Sequence, residues 1–410
     1  MRILILNQFY PPDAAPTGQV AHDLARCLVA RGHEVTALAS RRSYLGEAEY
    51  PAQDVRDGVT VQRLAGLSFG AKSHVRKLLA YAWFYASTAV RLALLRPRPE
   101  VVVALTTPPY LGLLVRWVGL VRRWRRVHWI MDLYPDVMEA HGMLGHNPAG
   151  RLAASALRWL TRRELAGAAA VLTLGPDMAE RCRPYVRPGT RLEWVPLWAG
   201  EGLFSADEEA VRSLRRERGW DGALVLLYSG NMGLGHRFGE FLAAAAADPQ
   251  ALTSTAATSV RFVFAGAGKR RAEIEAFARE HPAASIELLP YAGPEQLAVH
   301  LRSADVLLAS LEPAWAGCML PSKLQGMLAA GRPVIFVGPR ECSLAHWVEA
   351  AGAGWTVETG DHSALAVALQ AALDPQERRR RGLAAQVYAR AHFRTAPNGA
   401  RIADLIETAE

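Results

Sequence analysis

The chain has 410 residues, half of them hydrophobic, which predicts two or three domains with large cores and excludes a disordered protein. The formal net charge of +8 and the pI of about 9.5 favour an anionic partner, such as nucleic acid, a membrane surface or a phosphorylated substrate. Nucleic acid is the weakest of these, because no zinc finger, RNP-type aromatic motif or clear helix-turn-helix pattern is present. The four cysteines are scattered without a CxxC pair, and the amino terminus lacks a signal peptide's basic start and long apolar run. We therefore expect a protein of the reducing cytoplasm.

The first half of the chain alternates short apolar strands with amphipathic helices. Near-continuous apolar runs of this kind are typical of a parallel sheet that is covered on both faces. The predicted strands are residues 2–7, 33–40, 101–106, 127–133 and 170–175. A helical pattern over 18–33 separates the first two and closes at Gly32, a common helix stop.

Two basic, aromatic-rich segments also lie in the first half, at 71–98 and 114–126. Tryptophan and arginine suit the headgroup layer of an anionic membrane, and both segments are too short or too interrupted to span one. An alternative is that each helix packs on the sheet and turns its arginines to water. The membrane or acceptor candidates are Trp117, Arg122, Arg123, Trp124 and, after the fourth strand, Tyr134.

The second half repeats the same alternation from about residue 222 and predicts a second doubly wound α/β unit. Its predicted strands are residues 223–230, 260–268, 286–291, 306–310, 333–338 and 355–359. We expect a linker near 195–209 and a charged, helical carboxyl-terminal segment that packs back towards the first domain. The predicted domains are 1–200, 201–376 and 377–410.

Ligands of open α/β sheets bind beyond the carboxyl ends of the strands, so the residues that follow strands are the informative ones. Thr17 and Gly18 open the helix after the first strand, and glycine-bearing loops follow the first two strands of the second half. The stretch MLPSKLQG then places Ser322 and Lys323 at a helix start. Together these features predict a cleft that binds a phosphate-bearing ligand, whereas the alternative is ordinary helix capping. Neither a P-loop nor a GxGxxG after the first strand is present, which argues against a P-loop enzyme and an ordinary dinucleotide oxidoreductase.

Five segments carry a more specific signal: NQFYPPDAAPTGQVAHDLARCLVARGHEVT, WIMDLYPD, LYSGNMGLGHRF, FVFAGAGKRR and LPSKLQGMLAAGRPVIFVG. In this order they resemble glycosyltransferase family 4, and in particular a bacterial branch that builds cell-surface polysaccharide and O-antigen repeat units. The resemblance extends over nearly the whole chain. It implies retaining enzymes with the GT-B fold, in which two Rossmann-like doubly wound domains face each other across a cleft.

The resemblance also implies roles for individual residues. Lys323 and Ser322 lie at the helix that receives the donor diphosphate, Asn231 lies in a loop that usually carries an arginine, and Asp132 ends a strand that faces the donor sugar or acceptor. The residues predicted to be catalytic are Asp132, Lys323 and Asn231. The residues predicted to bind the donor are Thr17, Gly18, Gly230, Gly233, His236, Arg237, Gly266, Gly268, Lys269, Tyr291, Pro321, Ser322 and Lys323. For His236 a structural role is an equally good interpretation.

Three positions depart from the family pattern. Many members carry two glutamates eight residues apart, one of which binds the ribose, whereas this chain has Cys318 and Gly326 there. Glu312 lies nearby but is out of register, and Met131 replaces a frequent histidine. The ribose contact and the identity of the donor sugar therefore stay open.

Transfer from a nucleotide sugar places negative charge on the departing diphosphate, which fixed positive groups stabilise. We expect neither a cofactor nor a metal, because the sequence has no DxD motif between strands. A pair of carboxylates of the glycosidase type is not evident; Asp132 is one candidate and Asp136 a weaker one. The alternative for Asp132 is a turn cap in Asp-Leu-Tyr-Pro.

The interpretation favoured by the sequence is a retaining transferase that moves a hexose or N-acetylhexosamine, with UDP as the expected nucleotide, to a lipid-pyrophosphate-linked or glycan acceptor. We expect it to lie in the cytoplasm at the inner face of the membrane, without nucleic acid. One alternative is a nucleotide-sugar epimerase on the same architecture, which would need no lipid acceptor. The other is a non-catalytic nucleotide-sugar-binding scaffold, which the missing glutamates would suit.

Overall fold

The computed structural model describes residues 1–13, 15–43, 48–66, 74–145, 147–247 and 259–409. The first three residues of the predicted segment 71–98 lie outside this range. Contacts divide the chain into two compact units. The first unit comprises Met1–Pro196, Gly317–Met319 and Ala396–Glu410, and the second comprises Leu197–Ala316 and Leu320–Thr395.

The first unit is built on an eight-stranded sheet. Its strands are β1 (Arg2–Leu6), β2 (Glu34–Ser40), β3 (Gln53–Arg56), β4 (Val59–Leu64), β5 (Val101–Leu105), β6 (Arg125–Trp129), β7 (Ala170–Thr173) and β8 (Arg191–Trp194). The order is β3-β4-β2-β1-β5-β6-β7-β8, and every neighbouring pair is parallel except β3 with β4. Beyond the antiparallel edge this is the Rossmann strand order, whose direction reverses between β1 and β5.

Helices cover the sheet of the first unit. They are α1 (Pro16–Ala30), α2 (His74–Leu94), α3 (Leu111–Arg122), α4 (Asp136–Ala140), α5 (Pro148–Leu165) and α6 (Pro176–Cys182), with the last helix of the chain, Thr395–Glu407. One face of the sheet packs Leu4, Leu6 and Val102 against Leu111 and Val115 of α3 in a single apolar cluster. Burial on both faces explains the uninterrupted apolar runs of these strands.

The second unit has a six-stranded, fully parallel sheet. Its strands are β9 (Ala223–Ser229), β10 (Ser259–Ala265), β11 (Ile286–Leu289), β12 (Val306–Ser310), β13 (Val334–Val337) and β14 (Gly354–Val357). The order β11-β10-β9-β12-β13-β14 is the Rossmann order 3-2-1-4-5-6, and it reverses between β9 and β12. Ligand sites of such sheets lie at the carboxyl ends of the two strands that flank the reversal.

The helices of the second unit complete its two outer layers. They are α7 (Glu208–Glu217), α8 (Gly239–Ala246), α9 (Arg271–Glu280), α10 (Leu297–Arg302), α11 (Lys323–Ala329), α12 (Ser343–Ala350), α13 (His362–Ala372) and α14 (Pro375–His392). Four short 3₁₀ turns among the described residues are Arg183–Tyr185, Glu201–Phe204, Pro294–Gln296 and Pro313–Trp315. The phenylalanines Phe262 and Phe264 of β10 pack with Leu308 and Ile335 in the core beneath these helices.

The α/β class and the eleven strands predicted from the sequence are present, most of them shorter by one or a few residues. The strands β3, β4 and β8 were not predicted. The segment predicted as 377–410 is divided between the two units. Helix α14 belongs to the second unit, whereas the last helix, Thr395–Glu407, belongs to the first from Ala396 onwards. There Arg31 pairs with Asp404 at 2.6 Å and His33 with Glu407 at 2.6 Å. The linker prediction is close, since the units meet in the chain after Pro196.

Candidate functional site

The pairing of β9 with β10 in the second unit brings two glycine-bearing loops into contact. Gly230 follows β9 and Gly266 follows β10, and a Cβ on Gly266 would lie only 2.1 Å from the Gly230 carbonyl oxygen. Gly268 has a φ of +144°, and a Cβ there would lie 2.5 Å from the Met232 carbonyl. The backbone N–H of Met232 also donates to Ala267 O at 2.8 Å. These glycines are therefore required for the two loops to pack backbone against backbone.

Lys323 is the first residue of α11 and lies against the same loops. Its ammonium is 4.0 Å from the centre of the Tyr228 ring, donates a hydrogen bond to the Tyr228 hydroxyl and lies 3.4 Å from the Asn231 carbonyl oxygen. A Cβ on Gly230 would come within 3.3 Å of Nζ, so the glycine also leaves room for the lysine. Among the described residues no carboxylate pairs with this ammonium.

Burial lowers the pKa of Lys323 to about 7. A half-buried ammonium without a counter-ion is costly, and an arriving anion would remove that cost. Tyr228 was not singled out by the sequence analysis, although its segment YSGN was. Its hydroxyl donates to the Asn231 carbonyl at 2.8 Å, so one tyrosine holds both the lysine and the loop.

Several other predicted donor residues surround this lysine. Ser322 is exposed and its side chain makes no capping hydrogen bond, so its hydroxyl is not used by the helix, while Pro321 before it is buried. The Asn231 side chain lies between the two remaining glycines, within 2.7 Å of a Cβ on Gly268 and 3.2 Å of one on Gly233. Helix α11 itself is only seven residues long.

The side chain of Tyr291 is 54% exposed beside these loops, and its hydroxyl donates to Ala267 O at 3.1 Å. Its Cε1 atom lies 3.2 Å from the position of a Cβ on Gly266. An exposed ring held at the mouth of the loops suits stacking on a nucleobase. Lys269 is exposed in the same loop region.

Two residues predicted to bind the donor already make polar contacts within the fold. The Arg237 guanidinium pairs with Glu240 at 2.6 Å and with Glu312 at 3.0 Å. Glu312 also binds Arg270 at 2.8 Å, so it joins two arginines. His236 is buried with Nδ1 2.9 Å from Ser310 O, and burial lowers its pKa to about 3. His236 is therefore neutral, and Arg237 is not a free cation.

The departures from the glutamate pattern have distinct environments. Cys318 is buried and belongs to the first unit, where its carbonyl accepts from the Leu133 N–H at 2.7 Å. Gly326 lies in α11, and a Cβ there would lie 3.0 Å from the Leu203 side chain. Glu312 is held by its two arginines, so it does not take the place of the missing ribose-binding carboxylate.

In the first unit, Asp132 lies just beyond the carboxyl end of β6, the neighbour of β5 in the sheet. The Thr106 hydroxyl, which follows β5, accepts the N–H groups of Met131 and Asp132, both at 3.1 Å. Asp132 also forms an isolated antiparallel bridge with Met319. No hydrogen bond reaches its carboxylate from the residues that the structure describes, and burial raises its pKa to about 6. The alternative of a turn cap therefore does not hold, because the side chain of Asp132 caps nothing among the described residues.

The neighbours of Asp132 are aromatic. The ring centres of Tyr134 and Tyr110 are 6.0 Å apart, and the charge of Asp132 adds to burial in raising the pKa of Tyr134. Asp136, the weaker candidate, accepts from Arg181 at 2.7 Å and from the Tyr185 hydroxyl at 2.6 Å. Its carboxylate is thus fully used in a buried cluster, which is a structural role.

Gly18 and Thr17 have local roles. The Gly18 N–H donates to Ala15 O at 3.0 Å within the first turn of α1, so it does not point to a ligand as predicted. A Cβ at Gly18 would lie 3.0 Å from the Phe9 carbonyl oxygen, and the glycine permits this close approach. The Thr17 hydroxyl receives a hydrogen bond from the Asn7 amide at 3.3 Å.

The basic segment 114–126 is divided between α3 and β6. Trp124 is buried and donates to Val115 O at 3.1 Å, so its assignment to a membrane surface is wrong. Arg122 donates to the Leu95 carbonyl, and Arg123 ends α3 in the left-handed conformation. The opposite face of α3 is exposed and apolar, with Trp117 at 60%, Leu120 at 60% and Val121 at 82% exposure.

None of the helices in the described ranges is long and apolar enough to cross a bilayer. Across the same ranges, His, Cys, Asp and Glu side chains form no group of three or more that could hold a metal ion. The expectation of a metal-independent reaction without a cofactor stays a prediction.

In a comparison with known protein families, both halves of the chain match glycosyltransferase models. Residues 17–198 match the family model of the glycosyl transferase 4-like domain, and residues 223–374 match that of glycosyl transferases group 1. The chain is 25% identical over 394 residues to the Escherichia coli K12 protein designated colanic acid biosynthesis glycosyl transferase WcaI, with 91% of this chain and 92% of WcaI covered.

Two solved structures show the same fold. Sucrose-phosphate synthase from Thermosynechococcus elongatus superposes with a TM-score of 0.76 at 17% identity, over 99% of this chain and 98% of the synthase. HepE from Anabaena, in complex with UDP-glucose, superposes with a TM-score of 0.72 at 14% identity, over 100% of both chains. The two family models together with this fold show that the chain belongs to the GT-B glycosyltransferases of the family 4 type.

Proposed function

We propose that this glycosyltransferase is a retaining enzyme that uses a nucleoside diphosphate sugar, with UDP as the expected nucleotide. It would transfer a hexose or N-acetylhexosamine to a lipid-pyrophosphate-linked or glycan acceptor in the synthesis of a surface polysaccharide. The observation that carries the proposal is Lys323, a half-buried ammonium without a carboxylate partner beside two glycine loops. The names of the similar proteins support it, since HepE is described with UDP-glucose and WcaI with colanic acid biosynthesis.

The leaving group determines what the second unit must do. Cleavage of the bond between the anomeric carbon and the phosphate oxygen leaves the electron pair, and therefore a growing negative charge, on the diphosphate. Lys323, the free Ser322 hydroxyl and the exposed Asn231 amide are the groups available to stabilise that charge. Because they gain most from the transition-state charge, they raise turnover more than substrate binding.

Asp132 is the group that we assign to the acceptor. Its carboxylate is half-buried and accepts no hydrogen bond from the described residues, so it can accept one from a sugar hydroxyl. In the retaining reaction that we propose, the departing phosphate oxygen takes the acceptor proton on the same face of the sugar. The protein then needs no nucleophile of its own, and Asp132 orients the hydroxyl rather than attacking the sugar.

A peripheral position on the inner membrane suits a lipid-linked acceptor. Trp117, Leu120 and Val121 lie at positions i, i+3 and i+4 of α3 and form one exposed apolar face. Arg123, at the end of the same helix, is exposed and offers a positive charge to anionic headgroups. We propose that this face rests on the cytoplasmic leaflet.

The test is a transfer assay with UDP-, GDP- and ADP-sugars and a synthetic polyprenyl-pyrophosphate-linked sugar. We expect one sugar nucleotide to be consumed only when the acceptor is present, and a product whose new bond keeps the anomeric configuration of the donor by NMR. Asp132→Asn should still bind the donor but lose most of the transfer.

Other results would contradict the proposal in identifiable ways. Conversion of the sugar nucleotide to its epimer without an acceptor would indicate an epimerase. If a sugar nucleotide binds but is not turned over with any acceptor tested, the protein is a non-catalytic scaffold. A product of inverted configuration would exclude the retaining mechanism.

A further inference from the structure

A second basic pocket lies in the second unit, at the amino ends of β12 and β13. Its volume is about 370 Å³, and four arginines, Arg302, Arg332, Arg378 and Arg379, line it. Arg302 ends α10, Arg332 lies in the turn before β13, and the other two lie in the first turns of α14. The glycine loops follow the carboxyl ends of β9 and β10. The pocket therefore lies at the opposite end of the strands, about 15 Å from the glycine loops for strands of five residues.

The charges around this pocket do not balance. Asp305 is its one acidic lining residue, and its carboxylate is already shared by Arg215 at 3.1 Å and Arg378 at 3.9 Å. The Arg302 guanidinium binds Glu208 at 2.9 Å on its other side. Counting these contacts, five arginines face two carboxylates, which leaves three positive charges in one region. Like charges at this spacing repel one another, and an anion in the pocket would relieve that repulsion.

Three of these arginines donate hydrogen bonds to carbonyl groups at or near helix ends. These bonds explain where the guanidinium groups lie but do not compensate their positive charges. Arg302 donates to the Ala330 carbonyl at 3.2 Å, Arg332 to the Arg302 carbonyl at 2.9 Å, and Arg378 to the Ala372 carbonyl at 2.6 Å. Carbonyl groups hold the guanidinium groups in place but do not neutralise them. Because they are held before a ligand arrives, little side-chain entropy is lost on binding.

Arg379 lacks even such a structural role. It is exposed, lines the pocket, and makes no ion pair or hydrogen bond with the residues that the structure describes. Its neighbour Arg380 is also exposed but pairs with Glu377 at 2.8 Å and does not line the pocket. The two adjacent arginines therefore form a natural test pair.

We propose that this pocket binds a phosphate-bearing anion at a site separate from that of the sugar donor. Planar guanidinium groups that converge on one pocket bind phosphate oxygens in pairs. The volume is sufficient for a small phosphorylated metabolite or for the phosphate of a lipid headgroup. This inference does not depend on the proposed function, because ligands of the transfer reaction are expected at the carboxyl ends of the strands.

The test is calorimetric titration with inorganic pyrophosphate of full-length Lys323→Ala, alone and combined with Arg379→Gln or Arg380→Gln, because pyrophosphate would also bind at Lys323 in the wild type. We expect Arg379→Gln to weaken pyrophosphate binding by about tenfold or more, and Arg380→Gln to leave it unchanged. Nucleotide titrations then separate the two sites, because the single variant Arg379→Gln should keep the nucleotide binding that Lys323→Ala loses. Thermal melts that are equal for the two arginine variants exclude a folding defect.

A second arm distinguishes the source of the phosphate. Vesicles with phosphatidic acid that bind the wild type, release it with pyrophosphate and no longer retain Arg379→Gln would assign the site to a lipid headgroup. Vesicle binding that is equal in both proteins, with pyrophosphate binding still lost in the variant, would assign it to a soluble anion. Equal pyrophosphate affinity of Arg379→Gln and Arg380→Gln would overturn the proposal.

Discussion

Lys323 has a charge that depends on pH in the range where the protein works, since burial lowers its pKa to about 7. Below that pH the ammonium is charged and attracts a diphosphate; above it the free protein carries a neutral amine. Between pH 7 and 9 we expect the affinity of the wild type for UDP to fall by roughly tenfold or more relative to that of a variant whose charge at this position is fixed. Calorimetry across this range measures it.

The control for this prediction is Lys323→Arg, which stays charged at every pH tested. Its affinity for UDP should be lower than that of the wild type at pH 7, because the guanidinium does not fit against Tyr228, but it should vary less with pH. A ratio of the wild-type affinity to that of Lys323→Arg that is constant from pH 7 to 9 would contradict the assignment of Lys323.

Asp132 and Asp136 lie four residues apart and should respond to substitution in opposite directions. The folded protein raises the pKa of Asp132 to about 6, so ionisation of this carboxylate costs stability as pH rises from 4 through 6. Asp132→Asn removes that cost and should stabilise the protein by about 1–3 kcal/mol at pH 8, with no gain near pH 4. Urea unfolding at the two pH values measures the difference.

Asp136→Asn is the matched control for this experiment. It breaks the ion pair with Arg181 and weakens the hydrogen bond from Tyr185, so we expect a loss of about 2–4 kcal/mol at pH 8. A destabilised Asp132→Asn variant would show that the carboxylate is a structural group rather than one kept for a ligand.

The sequence predicts which residues lie at the candidate site when the course of the backbone decides their position. It does not predict which side chains are already paired or buried. Lys323, Asn231 and the glycines follow strand ends, so the strand pattern is enough to bring them together. Arg237 and Trp124 look free in the sequence. Only the folded chain shows that Glu240 and Glu312 bind the first and that the core buries the second.

The loop after β10 depends on its glycines, which makes it testable as an element. Gly268→Ala would place a Cβ 2.5 Å from the Met232 carbonyl at a φ of +144° that other residues rarely adopt. We expect a loss of about 2–4 kcal/mol in stability and a weaker affinity for the nucleotide. Gly239→Ala, at the start of α8, is the control, because nothing lies within 4 Å of its Cβ and the variant should be neutral. Equal effects of the two substitutions would argue against close packing of the loops.

The exposed face of α3 gives a prediction for membrane binding. The variant Trp117→Ser, Leu120→Ser, Val121→Ser removes the apolar groups that would enter the headgroup layer. We expect it to bind vesicles of phosphatidylglycerol about tenfold or more weakly in flotation assays, with unchanged affinity for the nucleotide. Val367→Ser, which removes a single exposed residue of the second unit, should bind as the wild type does. Vesicle binding that is unaffected by the triple substitution would remove α3 from the membrane surface.

Among the elements, the buried parallel strands were predictable and the edge strands were not. Strands such as VVVAL of β5 are buried at every position, so an apolar run identifies them. The strands QDVR of β3 and RLEW of β8 lie at the two edges of the first sheet and are largely polar or half-exposed. β4 alternates buried and more exposed residues, so it lacks the continuous apolar run by which the predicted strands were identified.

At the scale of the whole chain, the two units share one topological rule. Each sheet follows the Rossmann order, and the candidate residues of each unit follow the carboxyl ends of its strands. The sequence contained this rule, because strand ends can be located from the apolar pattern alone. The sequence did not predict that the carboxyl-terminal segment is divided between the units. Helix α14 and the last helix both have charged, helical sequence patterns, and they differ in the unit on which they pack.

The net positive charge of the chain also has a structural explanation that composition hides. Many arginines are used within the fold, as Arg126 is by the carbonyls of Ala166 and Gly167 and Arg215 by Asp305. A positive total therefore does not identify the ligand. Lys323 and Arg379, at opposite ends of the strands of the second sheet, are two cations without a carboxylate partner in the described part of the chain, and each lines a candidate site.

The central claim is that the donor diphosphate binds at Lys323, and calorimetric titration with UDP, GDP and ADP tests it most directly. We predict that the wild type binds one of the three nucleotides, that Lys323→Ala weakens this binding by about tenfold or more, and that Arg380→Gln leaves it unchanged. The nucleotide that binds then defines the donor. Equal affinity of the wild type and Lys323→Ala, or no binding of any of the three nucleotides, would contradict the claim.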